Sequence, residues 1–452
     1  MSSPNLIKGI GLFGAVTLVM GSMIGSGIFI APSIMAGFIP SPGVLLGLWV
    51  VGGIFTMFGA LSVGELAAAF PRAGGTYIFL KEAFSPLFGF LYGWTLFLVI
   101  QTGFIAAVAM AFAKYAGVFW PAISENNHFA HFNTAQIVAI ASIWVLTAIN
   151  YRGVKEGAFV QNLFTVLKVA AILILVAAGF FLHKGSLQNF HPFLGIPKSQ
   201  IMTTAFAAAL AVSLSKALFA YDAWNTVTFA AEEVQNPQKN LPLALVLGTL
   251  GVTLLYTLAT AFYIYIVPIA EMPGIADNRI AAEAAFRVLG PTGLLFISAA
   301  ILISTFGCNN GLILGGARVY YAMAKDGLFF KKVQRLHPRF VTPTTALIYQ
   351  AIWASLLTLT GTYSDLLTYT SFASVLFSIL TVAGLFVLRK KAAHIERPVK
   401  CPGYPFVPLL YILIGLAFTF YIVQGDARNS MMGLVLILTG IPAYFFWARR
   451  KI

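Results

Sequence analysis

The chain has 452 residues, 59% of them hydrophobic and only 9% charged, with a net charge of +14 and a mean hydropathy of +0.87. Soluble domains carry about 25% charged residues, so these values exclude a water-soluble fold and point to an all-α polytopic membrane protein. The six histidines fall in polar stretches, Cys308 and Cys401 fall on different segments, and no phosphate-binding G-x-x-x-x-G-K-[ST] loop is present. No metal, no cofactor and no direct ATP drive are expected.

At roughly 20 apolar residues per span, about twelve spans follow in order, near 10–37, 42–67, 85–113, 135–150, 158–182, 201–231, 242–267, 291–323, 343–360, 364–388, 405–423 and 430–448. They make one membrane domain over 1–452, with polar loops at 120–134, 183–200 and 324–342. The first run is too long for a cleavable leader and lacks a small-residue cleavage site. With the N-terminus inside, the inner segments hold most of the 28 lysines and arginines, among them Arg72, Arg152, Lys331, Arg389, Arg450 and Lys451. The outer segments hold Lys114, Lys184, Lys198, Arg279, Arg287 and Arg428. Both termini are therefore expected in the cytoplasm. The positive charge belongs to that inner face and implies no nucleic-acid partner.

Span one carries Gly21-Ser22-Met23-Ile24-Gly25-Ser26-Gly27-Ile28-Phe29, followed by Pro32. Gly21 and Gly25 form a G-x-x-x-G pair that suits helix packing. Glycine and serine at this density equally suit a break in the helix, which survives at membrane depth only where it is buried in protein or lines a cavity. Span five carries Lys168 in mid-membrane, where a charge costs about 2.5–3.5 kcal/mol and normally faces the interior with a role; the alternative is a lysine that snorkels to an interface.

Span six supplies a second interruption, Phe219-Ala220-Tyr221-Asp222-Ala223-Trp224-Asn225, and ends through Glu232-Glu233 and Asn236-Pro237. Lys216 stands a few residues before it, with its role open between an outer vestibule, an acidic partner and snorkelling. Spans one and six each open a five-span unit, over 10–182 and 201–388, and the last two helices follow at 405–449. Five is odd, so the second unit is inverted, and paired discontinuous spans in inverted repeats point to the binding site of a secondary transporter.

The first-span stretch resembles the signature of the amino acid–polyamine–organocation transporter superfamily. So do Gly64-Glu65-Leu66 with Pro71-Arg72-Ala73-Gly74-Gly75-Thr76-Tyr77, the span-six stretch, Phe306-Gly307-Cys308-Asn309-Asn310-Gly311 with Ala317-Arg318, and Tyr404-Pro405-Phe406. Within it the chain is most similar to L-type amino acid transporters, in particular bacterial serine/threonine and alanine/serine/cysteine exchangers. The resemblance implies a LeuT-type fold with helices 1 and 6 discontinuous, a place in the bacterial inner membrane, and sodium-independent exchange of small neutral L-amino acids by alternating access.

The residues fit that mechanism. Free amides of Ser26, Gly27 and Ile28 at the start of a half-helix would receive the substrate carboxylate. Unpaired carbonyls near Ile24, and near Phe219, Ala220 and Asp222, would face its ammonium. Gly25 and Gly27 allow close backbone approach, and Tyr221, Trp224 and Asn225 would shape the side-chain pocket. By resemblance, Phe219 is the gate over the substrate and Lys168 puts its amine where sodium-coupled relatives hold a second sodium. On the inner face Arg318 is the best candidate for a closing ion pair, among Glu65, Arg72, Arg152, Glu232, Glu233 and Lys325. Two alternatives stay open: a proton-coupled symporter working through Lys168, and a carrier of cationic amino acids with Asp222 as counter-charge. Some eukaryotic L-type relatives pair with a glycoprotein through an external cysteine. Neither cysteine here is external, so no disulfide-linked partner is expected; oligomeric state stays unassigned.

Overall fold

The computed structural model describes residues 6–129, 131–195, 203–360, 363–425 and 427–449. Lys198, Arg450 and Lys451, used above for orientation, lie outside them. Among the described residues, nine helices are long and apolar enough to cross a membrane, and three shorter apolar helices, Leu12–Met23, Thr204–Ala220 and Thr344–Leu359, stand at the expected first, sixth and ninth spans. The first two are short because they are broken.

In chain order, span one is α1 (Leu12–Met23), a 3-10 turn (Gly27–Phe29) and α2 (Ala31–Phe38). Then come α3 (Pro42–Ala69), a short α4 (Thr76–Ala83), α5 (Pro86–Phe119), α6 (Thr134–Arg152) and α7 (Val154–Phe181). Span six is α8 (Thr204–Ala220) followed by a 3-10 run (Thr226–Glu233). The rest is α9 (Pro237–Ile266), α10 (Ile280–Leu289), α11 (Pro291–Lys325), α12 (Thr344–Leu359), α13 (Tyr363–Lys391), α14 (Phe406–Gly425), α15 (Ala427–Leu438) and α16 (Gly440–Arg449). The loop expected at 120–134 holds a small antiparallel hairpin, His128–Phe129 against Phe132–Asn133. The amphipathic α10 lies between the expected seventh and eighth spans.

Proline starts four of the long helices at its first position: Pro42, Pro86, Pro237 and Pro291. The missing N–H there is one that no helix can satisfy internally. Asn133 and Gln136 close a capping box on α6. Polarity is distributed inside out. Leu254, Phe159 and Phe420 are exposed on the surface, whereas Lys168, Gln161, Asn310, Glu233 and Arg318 are buried, as expected of helices that face lipid.

The broken span one sits at the centre. α1 packs against α7, α9 and α11, and α8 packs against α2 and α3. The 226–233 run packs back on α1, so the two interrupted spans meet at their breaks. The packing and break alternatives for span one are both realised, at different glycines. A Cβ at Gly21 would collide with Gln161 and Thr165 of α7, so Gly21 serves packing. α1 stops at Met23, and Gly25 and Gly27 belong to the break.

Candidate functional site

At the break in span one, the backbone leaves the helix at Ile24 (φ −77°, ψ 86°) and resumes as a 3-10 turn at Gly27. Among the described residues, the amides of Ser26, Gly27 and Ile28 donate to no carbonyl or side chain. Three adjacent free N–H groups at a helical start make an anion cradle. A Cβ on Gly27 would lie 2.8 Å from the Ala220 Cβ, so glycine is what lets the two breaks touch.

The carbonyl side differs from expectation. The Ile24 carbonyl is not free: it accepts from Lys168 Nζ at 2.7 Å and Ser304 Oγ at 3.0 Å. The neighbouring carbonyls are also engaged, Gly21 by Lys168 at 3.0 Å, Ser22 by Cys308 Sγ at 3.1 Å and Met23 by Tyr256 at 3.0 Å. The end of α1 is wrapped by α7, α9 and α11, and each supplies a donor. The third Lys168 bond goes to the Ser304 carbonyl at 2.9 Å. All three ammonium hydrogens thus have a partner, and Lys168 is 1% exposed. That excludes snorkelling.

At the second break, the Phe219 carbonyl accepts the Asp222 amide at 3.2 Å and shares the Tyr221 amide with the Ala217 and Leu218 carbonyls, and the Ala220 carbonyl lies 3.1 Å from the Tyr256 hydroxyl. Tyr256 therefore reaches the last carbonyls of both interrupted helices with a single proton, so one of the two is always without it. Asp222 Oδ1 accepts from the Ala223 amide at 2.8 Å and the Ser374 hydroxyl at 3.2 Å. No cationic side chain pairs with it among the described residues.

A cavity of about 50 Å³ brings Gly25, Ser26, Gly27, Phe219, Ala220 and Asp222 together, with Phe104, Cys308 and the unpaired buried hydroxyl of Ser22 on its walls. It holds little more than water. Ile24 and Ile28 are buried behind it. Tyr221 does not line this cavity: its hydroxyl donates to the Trp49 carbonyl at 2.9 Å and its ring meets Trp49 and Tyr256. Tyr221 and Trp224 line a neighbouring cavity with Tyr411, and Asn225 binds Thr76 Oγ1 at 3.2 Å. The expectation that these three share one side-chain pocket with the break gives way to three adjoining cavities, each reached by Asp222. Lys216 is exposed, apart from all of them.

The Phe219 ring meets Phe104 of α5 at a tilt of 33°, centroids 5.7 Å apart. Just before Phe104, α5 makes a π-helical turn at Leu96–Ile100, a distortion common at functional sites. The break also opens the other way. A vestibule of about 290 Å³, lined by Lys114, Tyr115, Glu125 and Arg279, reaches Ser26.

The opposite end is closed. Arg318 and Glu233, both fully buried, form a bidentate pair at 2.6 and 3.0 Å. The Glu233 carbonyl accepts the Ile10 amide at 2.9 Å. Asp326 accepts from Tyr77 and Lys81, each at 2.6 Å. Glu65 pairs with Arg389 and Arg397 rather than with the exposed Arg72, which binds the half-buried Glu82. Lys325 lies over the Tyr321 ring, and Glu232 and Arg152 form no ion pair among the described residues. Cys308 and Cys401 are both buried, and burial pushes the Cys401 thiol above its ordinary range.

A family model described as amino acid permease matches residues 10–441. The chain is 31% identical to the serine/threonine exchanger SteT of Bacillus subtilis, over 99% of this chain and 98% of that protein. It is 30% identical to the mouse b(0,+)-type amino acid transporter 1, over 100% and 90% of the two chains. It is 31% identical to the human cystine/glutamate transporter, over 96% and 84%.

Proposed function

The chain belongs to the amino acid permease family, and we propose that it exchanges small neutral L-amino acids of the alanine, serine, threonine and cysteine type across the bacterial inner membrane, with both termini cytoplasmic, by alternating access and without sodium. The observation that carries the proposal is the pair of breaks meeting at one cavity, with three free amides on one side and the Ala220 carbonyl and Asp222 on the other. The amides of Ser26, Gly27 and Ile28 bind the α-carboxylate, aided by the positive end of the following helix. The Phe219 and Ala220 carbonyls, and the Asp222 carboxylate, hold the α-ammonium. Ile24 holds Lys168 instead of substrate. The Lys168 ammonium fills its place with three carbonyl bonds, as a bound cation would, which supports independence from sodium.

The proposed cycle pivots on the two five-helix units, 10–182 and 201–388, with Phe219 and Phe104 as the thin barrier and Arg318–Glu233 as the inner lock. Similarity to a protein named as an exchanger supports antiport; the small cavity and the bonded Oδ1 of Asp222 support neutral, compact substrates. A second reading, carriage of cationic amino acids, draws on the same Asp222, which lines the cavity with no cationic partner among the described residues.

Counterflow decides between them. Radiolabelled L-serine or L-alanine is offered to proteoliposomes holding amino acid or buffer, without sodium, with and without an inward proton gradient, and with excess L-arginine. Uptake that needs internal amino acid and ignores the gradient is the expected result. Gradient-driven uptake into empty vesicles would instead make the protein a proton symporter. Flux of L-arginine with none of L-serine would move the substrate assignment to the cationic class.

A further inference from the structure

The vestibule is the one large cavity described that the exchange site does not use, and its charges are unevenly committed. Arg279 is held by Asp277 at 2.9 Å and lies 5.7 Å from the centre of the Tyr115 ring. Lys114 and Glu125 line the same cavity, and among the described residues neither has a partner, nor do they pair with each other. One free cation and one free anion therefore face a single space of about 290 Å³ that ends at Ser26. Charges in a cleft with apolar walls, here Ala106, Met110 and Leu357, focus their field into it.

A zwitterion is the ligand that matches this pattern, since it carries both charges on adjacent atoms. We infer that the vestibule is a capture site for zwitterionic amino acids, with the α-carboxylate on Lys114 and the α-ammonium on Glu125, from which substrate passes inward to Ser26. The polar contacts go to the head group alone, so the site takes α-amino acids as a class and leaves side-chain choice to the inner cavity. The inference rests on the exchanger proposal for its role in transport, and it acts from one face of the membrane only.

The test is L-serine counterflow in proteoliposomes of the full chain, with KM measured separately from each face. Lys114→Gln and Glu125→Gln each raise the KM on the vestibule face about fivefold, the loss expected of an exposed charge pair. They leave kcat and the opposite KM unchanged, and weaken the salt dependence of the vestibule-face KM. The single variant Lys114→Glu, which sets two acids together, raises that KM further. The double swap Lys114→Glu with Glu125→Lys returns it to within about twofold of wild type. An unchanged KM, an equal change on both faces, or no recovery in the double swap would overturn the inference. Absence of L-serine counterflow in wild type would instead count against the exchanger proposal. Equilibrium binding of L-serine to the solubilised full chain then decides the capture site: binding weakened about fivefold in the two glutamine variants supports it, and binding that is absent or unaltered overturns it.

Discussion

At the scale of single residues, the site is defined by where donors and acceptors are left over. Lys168→Met removes a donor from three buried carbonyls, of which Ile24 keeps the Ser304 hydroxyl, and a buried carbonyl left unsatisfied costs about 1–3 kcal/mol. Exchange should fall by more than about tenfold, since the end of α1 loses its anchor, and the thermal unfolding midpoint of the purified protein should drop with it. Wild-type exchange in this variant would remove Lys168 from the mechanism. Gly27→Val should abolish L-serine binding while leaving assembly in the membrane intact, because its side chain enters the gap to Ala220. Retained binding would place the substrate elsewhere.

At the scale of elements, the junction between the two broken spans depends on Tyr256 of α9. Tyr256→Phe takes a hydroxyl from the carbonyls of Met23 and Ala220 at the cost of about one hydrogen bond, about 1 kcal/mol. KM for counterflow should rise about fivefold with fold and expression retained, and an unchanged KM would show that the junction holds without it. No sequence signal marks Tyr256: it is one aromatic residue in an apolar run, and its partners lie far away in the chain. The same holds for Ser304, for Phe104 and for the choice of Arg389 and Arg397 by Glu65. Each is decided by which helices end up adjacent. The breaks themselves were legible, because glycine, serine and aspartate contradict the apolar helical pattern around them. Lys168 was legible for the same reason, a charge too deep to reach water. The side-chain directions of Tyr221, Trp224 and Asn225 were not, because a broken segment has no periodicity from which to read a face.

At the scale of the whole molecule, one end is open as a vestibule and the other is shut by buried charge. Removing one partner of a buried pair costs about 3–5 kcal/mol, whereas replacing both with apolar residues of similar size is often neutral. Glu233→Leu alone should therefore destabilise the protein strongly, and Glu233→Leu with Arg318→Met should recover most of the loss. The double variant should still label faster at Cys308 with a membrane-impermeant maleimide applied from the closed end. Stability that follows the pair while labelling stays at the wild-type rate would make Arg318–Glu233 a structural feature and not a lock.

In the proposed exchange cycle, Lys168 also bears on the thermodynamics. A cation bonded covalently to the chain never crosses the membrane, so while it keeps its proton it brings in none of the free energy stored in an ion gradient. An exchanger built this way does no net concentrative work. At rest, the inside-to-outside ratio of one substrate equals that of every other substrate it accepts. Whichever amino acid the cell holds high by synthesis or by another carrier sets that ratio, and the rest follow. The direction of flow is then a property of the surrounding metabolism, and the protein supplies only its rate.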